Sequence, residues 1–565
     1  MNKRKRLGEL LRDADAINEE QLETALDIQK ETGQKLGYIL IEQGFVTESQ
    51  IMEVLEFQLG VPFIDLNSIS IPTEVQNLIP YSLIRRHNVV PVKLEMNMLY
   101  VAMEDALNFI AIEDLRMATN YEIVPMISFR AAINSTINKL YGSETADKAI
   151  QEFKKESDLS TRGRSQELEI ESYEVDSAPI VKLVYSIIES AISQGASDIH
   201  IEPMENEIRV RYRVDGKLFL ARSIPVEAQA AVSTRIKILA GLDIAERRIP
   251  QDGRFDYSSG GKVINLRVSV LPTAHGEKVV MRILDKANFL IPKEKLGFTK
   301  SNLVKFDQLL LNPNGIILIT GPTGSGKSTT LYTMLSELNK ESENITTVED
   351  PIEYQIEGLN QVHVNTKAGL TFASSLRSIL RQDPDIIMVG EIRDSETVEV
   401  AVRAAITGHL VLSTLHTNDA VSSISRLIDM GVAPYLIAVS LMGVISQRLV
   451  RRLCTQCSEP YTPPEHEIRY LNLPEENYTF RRPVGCSHCN ETGYKGRIAG
   501  HEILLVPKGM RDLITREASV GEMTEYAVKN GMSSLKHESI RLILDGITSF
   551  DEVMEITYSQ ESEIS

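Results

Sequence analysis

The spacing of apolar and polar positions changes character several times along the chain, and each change marks a unit. Over residues 1–60 apolar side chains recur at helical intervals, and the set repeats at one constant offset. Arg6-Leu7-Gly8 aligns with Lys35-Leu36-Gly37, Leu22 with Ile51, Leu26 with Leu55 and Gln29 with Gln58. Each copy predicts a short helix, a turn and a second amphipathic helix, and two copies packed together make a small helical bundle. In residues 61–143 the runs shorten: VVPVKLEMNMLYVAM predicts a hairpin and DLRMATNYEIVPMIS a helix followed by a strand, together a small α+β domain. Residues 144–177 include KKESDLSTRGRSQELEIES, charged and poor in aromatics, which predicts a flexible linker. Over 178–292 the amphipathic IVKLVYSIIESAISQ predicts a helix, and EIRVRYRVDG and VINLRVSVL predict strands of a second α+β domain. From 293 to 558 strands and helices alternate, which predicts a parallel sheet flanked by helices, and the polar residues 559–565 predict a frayed tail.

Composition narrows the class. A chain of 565 residues is too long for one core and should divide into three or four domains. Its 42% hydrophobic and 24% charged residues are ordinary globular values. A net charge of −18 disfavours a protein that slides on nucleic acid, so no nucleic-acid partner is expected. The longest apolar stretch, Tyr435–Ser446, falls short of the roughly 20 residues that a spanning helix needs. The basic start MNKRKRLGELL lacks the apolar core and cleavage site of a leader, so a cytoplasmic protein is expected.

The chemistry begins where the run Ile316–Thr320 meets GPTGSGKST. Gly321, Pro322, Thr323, Gly324, Ser325, Gly326, Lys327, Ser328 and Thr329 satisfy G-x-x-x-x-G-K-[ST] between a buried strand and a helix start. Glycines let backbone N–H groups close on the β-phosphate, Lys327 reaches the β- and γ-phosphates, and Ser328 ligates magnesium. The alternative is a ligand-free Gly-rich turn. A second strand, Ile386–Val389, ends at Gly390-Glu391, where the acid that holds the magnesium shell usually sits; Gly390 replaces the commoner preceding aspartate. A third, Ile345–Val348, leads into Glu349, Asp350 and Glu353. Glu353 is the candidate general base, while Asp350 also reads as an N-cap before Pro351. His409 and His416 bracket the apolar Leu410-Val411-Leu412 and suit a γ-phosphate sensor, the alternative being two structural histidines.

The only four cysteines form Cys454-x-x-Cys457 and Cys486-x-x-Cys489. Four thiolates in two knuckles favour a closed, structural tetrahedral Zn²⁺ site, with disulfides or free thiols as alternatives and His488 surplus to the ligand set.

Taken together these residues resemble the secretion-superfamily ATPases that drive type IV pilus assembly (PilB type) and type II secretion (GspE type). GPTGSGKST is similar to the family's Walker A, ITTVEDPIEY to its aspartate box, LRQDPDIIMVGEIRD to its Walker B and TGHLVLSTLHTND to its histidine box. The tetracysteine segment resembles the zinc insertion of the assembly and secretion branches, and ASDIHIEP, RVRYRVDG and RIPQDGRF resemble a PAS-like domain. The resemblance implies a multidomain α/β protein with a PAS-like α+β domain at 178–292 and a RecA-like ATPase core at 293–558 that includes the zinc segment 454–489. It implies a homo-hexamer that hydrolyses ATP with Mg²⁺, at the cytoplasmic face of the inner membrane, to turn an embedded platform protein and add pilin subunits. It implies that Arg254, Arg267 and Arg282 complete the site between ring neighbours. It further implies that residues 1–60 form an MshEN-like module binding cyclic di-GMP through Arg6, Leu7, Gly8, Gln29, Leu36, Gly37 and Gln58, although Lys35 replaces an expected arginine and Asp15 stands where the second copy has Gly44. Three other readings stay open. One is a type II secretion client; another is a module that nucleotide merely locks, which the set Lys327, Glu353 and Glu391 argues against. The third is a nucleic-acid translocase.

Overall fold

The structure, a computed structural model, describes residues 11–12, 16–32, 36, 39–40, 45–46, 61–66, 69, 71–106, 108–130, 132–134, 136–137, 140, 178–259, 262–284, 290–474 and 476–554. The 144–177 linker and the 559–565 tail lie outside these residues. So do Arg6, Leu7, Gly8, Lys35, Gly37, Gln58 and the side chain of Gln29.

In the amino-terminal repeat the helix Glu19–Thr32 begins with a reciprocal cap. Gln21 N donates to Asn18 Oδ1 at 2.8 Å and Asn18 N to Gln21 Oε1 at 2.9 Å. Leu11, Ile17, Leu22 and Ala25 of the first copy share one core with Ile39, Leu40 and Val46 of the second, with Leu36 packed against it. Among the described residues the two copies do pack on each other.

The next domain holds the expected hairpin, β1 (Val89–Glu95) against β2 (Met98–Met103), turning at Met96-Asn97. The helix Phe109–Thr119, capped by Asn108, then carries the chain to β3 (Glu122–Ile127), parallel to β2.

Six antiparallel strands form the third domain: β4 (Ala196–Pro203), β5 (Glu207–Val214), β6 (Lys217–Pro225), β7 (Gln251–Ser259), β8 (Lys262–Thr273) and β9 (Gly276–Leu284), in the order β6-β5-β4-β9-β8-β7. Alternate residues such as Ile208, Val210 and Tyr212 bury against the helices Ala178–Ser193 and Gln229–Leu239. The other face of the sheet is mostly polar, as alternation in an antiparallel sheet with one buried face allows, with Leu220, Val263 and Leu271 exposed. On that face Arg213, Asp198, Arg282, Arg267 and Arg254 are successive cross-strand neighbours on β5, β4, β9, β8 and β7.

The last domain contains β10 (Gly315–Thr320), β11 (Ile345–Glu349), β12 (Asn360–His363), β13 (Ile386–Val389), β14 (Leu410–Leu415), β15 (Leu441–Leu453), the small ribbon β16 (Glu459–Tyr461) and β17 (Phe480–Arg482), and β18 (Tyr494–Leu505). The main sheet runs β12-β11-β13-β14-β10-β15-β18, all pairs parallel except the antiparallel edge β15/β18. Both faces are covered. Ile316 and Leu318 join one core while Ile317 and Ile319 join the other, which explains why β10 is continuously apolar. In such sheets the crevice beyond the carboxyl ends of the strands receives ligands.

Candidate functional site

β10 runs directly into the glycine-rich loop, and the helix Lys327–Leu338 starts at its far end. Gly321 has φ 144°, and a Cβ there would stand 2.5 Å from the carbonyl oxygen of Gln447, so a larger residue would force β15 away. Pro322, Thr323 and Gly324 are exposed, Ser325 is buried, and Ser328 on the first helical turn is open to a metal ion. Lys327 Nζ arches over the loop, donating to the carbonyl oxygens of Gly321 at 2.9 Å and Pro322 at 3.0 Å. Burial pushes its pKa down to about 8, with Glu391 opposing and Arg448 assisting. A phosphate beside it would restore the ammonium.

Glu391 follows β13 on a turn fixed from both neighbouring strands. Gly390 N donates to Val348 O at 2.8 Å and Thr414 Oγ1 donates to Gly390 O at 2.8 Å. Its carboxylate lies 2.6 Å from Arg393 Nε and 3.8 Å from His416 Nε2. His416 is half-exposed at the carboxyl end of β14, and burial, then the Lys327 charge, hold it below the ordinary histidine range. It is therefore a neutral ring that can share one hydrogen bond with a phosphate oxygen at neutral pH.

His409 is elsewhere. It stands at the amino end of β14, six residues and roughly 20 Å from the phosphate loop. Its Nδ1 donates to the carbonyl oxygen of Ala404 at 2.8 Å and so closes the helix Ser395–Ile406. The expectation of two histidines at one site is corrected here, because a strand with one histidine at each end puts them at opposite ends of the sheet.

The three acids at the carboxyl end of β11 have different surroundings. Glu349 is buried and accepts from Tyr332 Oη at 2.5 Å, Thr347 Oγ1 at 2.6 Å and Gln361 Nε2 at 3.0 Å, which ties β11 to the phosphate-loop helix. No helix begins at Pro351, so Asp350 is not an N-cap. Glu353 lies on the loop that follows. Its Oε2 is 2.7 Å from Arg267 Nη1, and Arg267 Nη2 donates to Ile352 O at 2.8 Å. The hydroxyl of Tyr332 accepts from the backbone N–H of Glu353 at 3.2 Å and of Tyr354 at 3.4 Å.

Arg254, Arg267 and Arg282 do share one row of one sheet, though within this chain they have different surroundings. Arg267 clamps this chain's own Glu353, Arg282 Nε donates to Asp198 Oδ1 at 3.0 Å, and Arg254 is exposed. Arg267 is paired with Glu353 and Arg282 with Asp198, an acid of the same row, so opposite charges offset the repulsion between these neighbouring arginines.

At the far end of β15 the four cysteine Sγ atoms lie within 4.8 Å of one another. The separations are 3.9 Å for Cys454 and Cys486, 3.8 Å for Cys457 and Cys489, and 3.7 Å for Cys486 and Cys489. A tetrahedron with metal–sulfur bonds of about 2.3 Å has edges of about 3.8 Å, whereas a disulfide is about 2.05 Å long. The thiols therefore fit a tetrahedral metal ion and are not bonded to one another. Backbone N–H groups of Gly485, Cys486 and Gly493 point at sulfur, at 3.3, 3.2 and 3.2 Å, which offsets thiolate charge. Gly493 has φ 76°, and a Cβ there would meet Pro483 at 2.4 Å.

Sequence reasoning did not single out Tyr332, Gln447 or Arg448. The available signal was a polar pair inside the apolar strand LMGVISQRLV, since buried polar groups need a partner.

A family model described as "Type II/IV secretion system protein" matches residues 173–555. The MshEN domain model matches residues 59–147, which span the small α+β domain, whereas the resemblance attached that module to residues 1–60. The chain is 42% identical over 556 residues to "Type IV pilus assembly ATPase PilB" of Myxococcus xanthus, covering 97% of this chain and 98% of that one. It is 40% identical over 561 residues to "Type II secretion system protein E" of Xanthomonas campestris, covering 98% of each. Among solved structures, the Legionella pneumophila ATPase DotB matches with a TM-score of 0.51 at 23% identity, over 66% of this chain and 95% of that one, which bears on the fold alone. With a phosphate loop and acid-bearing strand tips in place and a match over most of its length, the chain belongs to the family of type II/IV secretion system proteins, as an ATPase of that family.

Proposed function

We propose that the chain is a motor that hydrolyses ATP to power type IV pilus assembly, working as a ring-shaped homo-hexamer on an inner-membrane platform protein. The observation that carries this reading is the convergence of Lys327, Glu391, His416 and Glu353 beyond the carboxyl ends of adjacent parallel strands. Lys327 would hold the phosphates and Ser328, with Glu391 in the outer shell, a magnesium ion that neutralises developing charge. Glu353 would take the proton of the attacking water, and His416 would report the γ-phosphate. The row of Arg254, Arg267 and Arg282 supports a shared site, because Arg267 already reaches Glu353 from a separate domain and Arg254 of the same row is exposed. A type II secretion client is the second reading, supported by the 40% identity to a protein of that name.

The same proposal places the protein at the cytoplasmic side of the membrane through its platform partner. Among the described residues no helix is long and apolar enough to cross a membrane. Zinc is the proposed occupant of Cys454, Cys457, Cys486 and Cys489, supported by the tetrahedral sulfur spacing. Cyclic di-GMP is the proposed ligand of Arg6, Leu7, Gly8, Gln29, Leu36, Gly37 and Gln58; titration calorimetry showing no heat at high micromolar ligand would remove it.

The deciding experiment follows ATP turnover per chain against protein concentration, alongside mass. Turnover should climb as rings form. A flat value across the transition from single chain to ring would end the shared-site reading.

A further inference from the structure

β15 runs parallel to β10, with Ser446 beside Thr320, and continues past the point where β10 gives way to the phosphate loop. The next two residues, Gln447 and Arg448, are 1% and 6% exposed, in a strand otherwise mostly apolar. Polar groups so deeply buried are held by specific partners, and here the partners lie in two functional loops. Gln447 Nε2 donates to the carbonyl oxygen of Ser325 at 2.7 Å, and its Oε1 accepts from Thr330 Oγ1 at 2.8 Å. One amide thus grips the chain on both sides of Lys327. Arg448 Nη1 donates to Gln447 O at 3.3 Å, while its Nη2 donates to Asn418 O at 3.0 Å and to Asn418 Oδ1 at 2.8 Å. Asn418 stands two residues beyond His416. The same loop is tied again by Ser446 Oγ to Asn418 O at 3.4 Å and by Ala420 N to Glu502 Oε1 at 2.8 Å.

We infer that Gln447 and Arg448 are positioning residues that link the phosphate loop to the loop carrying His416. The inference rests on the reading above, in which ATP is hydrolysed at this loop and His416 meets the γ-phosphate. Nucleotide binding draws Lys327 away from the Gly321 and Pro322 carbonyls. Any accompanying shift of the loop at Ser325 or Thr330 is felt by Gln447, to which both are fastened. The planar guanidinium of Arg448 carries that adjustment to Asn418, since a fork with two fixed donors transmits direction where a single ammonium does not. His416 is thereby oriented when the loop is filled.

The test uses the full chain and measures kcat and KM for ATP, with a melting curve for each variant. Asn418 is half-buried on a loop, so Asn418→Ala is expected to fold, and its melting curve checks this. Asn418→Ala is expected to lower kcat about tenfold with KM changed less than about twofold, and Asn418→Asp, which keeps the acceptor, to restore most of it. In Asn418→Ala/His416→Ala the loss should equal that of His416→Ala alone, because both act through one group. Wild-type kcat in Asn418→Ala, losses that multiply in the double variant, or an Asn418→Asp as impaired as the alanine would each overturn the inference. Wild-type turnover in His416→Ala would overturn the His416 assignment itself and the inference with it. A low turnover there, with multiplying losses, overturns the inference alone.

Discussion

Replacing Tyr332 with phenylalanine removes one oxygen that serves three elements at once. In the wild type this hydroxyl donates to Glu349 Oε2 at 2.5 Å and accepts from the backbone N–H groups of Glu353 and Tyr354. Glu349 is 4% exposed, and its other oxygen keeps the bonds to Thr347 and Gln361, so the variant leaves one buried carboxylate oxygen without its donor. A hydrogen bond to a buried charged group contributes about 1.5–3 kcal/mol, and the two long backbone contacts add little, so a loss of about 2–3 kcal/mol is expected. For a domain of this size that lowers the melting temperature by about 4–12 °C. The second effect is catalytic. The loop of Glu353 loses its tether to the phosphate-loop helix, and a misplaced base lowers kcat far more than it raises KM. Thermal melting and steady-state phosphate release on the same preparation measure both. A melting temperature within about 1 °C of wild type would refute the role of the Glu349 bond. An unchanged kcat with the expected destabilisation would show that Tyr332 stabilises the domain without placing Glu353.

Three further outcomes are expected. Glu391→Gln should bind ATP as the wild type does but release phosphate at least about a hundredfold more slowly, and equal rates would remove Glu391 from the reaction. Because the free protein holds the pKa of Lys327 down at about 8, nucleotide binding at about pH 9 should take up close to one proton, and affinity should fall as pH rises through 8. Calorimetry in two buffers of different ionisation enthalpy would give equal heats if that were wrong. Freshly purified protein should carry about one equivalent of zinc, and Cys454→Ser should lose the metal and open residues 454–489 to protease; metal-free wild-type protein would refute the site.

Local chemistry was legible without a fold. The helical spacing of the amino-terminal repeat, the hairpin turning at Met96-Asn97 and the continuous apolar run of β10 each follow from which face of an element meets the core. The phosphate loop and the two cysteine knuckles were legible for a different reason: their function needs particular residues at fixed short spacings, and such spacings survive in one dimension. The histidines show the limit of this reasoning. His409 and His416 are neighbours in sequence terms, yet an extended strand separates them by its whole length.

What only the tertiary structure decided are the pairs made by strand order. Arg267 meets Ile352 across 85 residues, and Gln447 meets Ser325 across 122. Tyr332 reaches Glu353 only because β11 lies beside the helix that follows β10. Such contacts depend on the sheet order β12-β11-β13-β14-β10-β15-β18 and on how the six-stranded domain is seated. Periodicity and spacing record which side of an element is buried and leave open what it is buried against. The sequence by itself therefore determined the phosphate loop and the four-cysteine cluster of this protein, while packing alone selected the side chains around them.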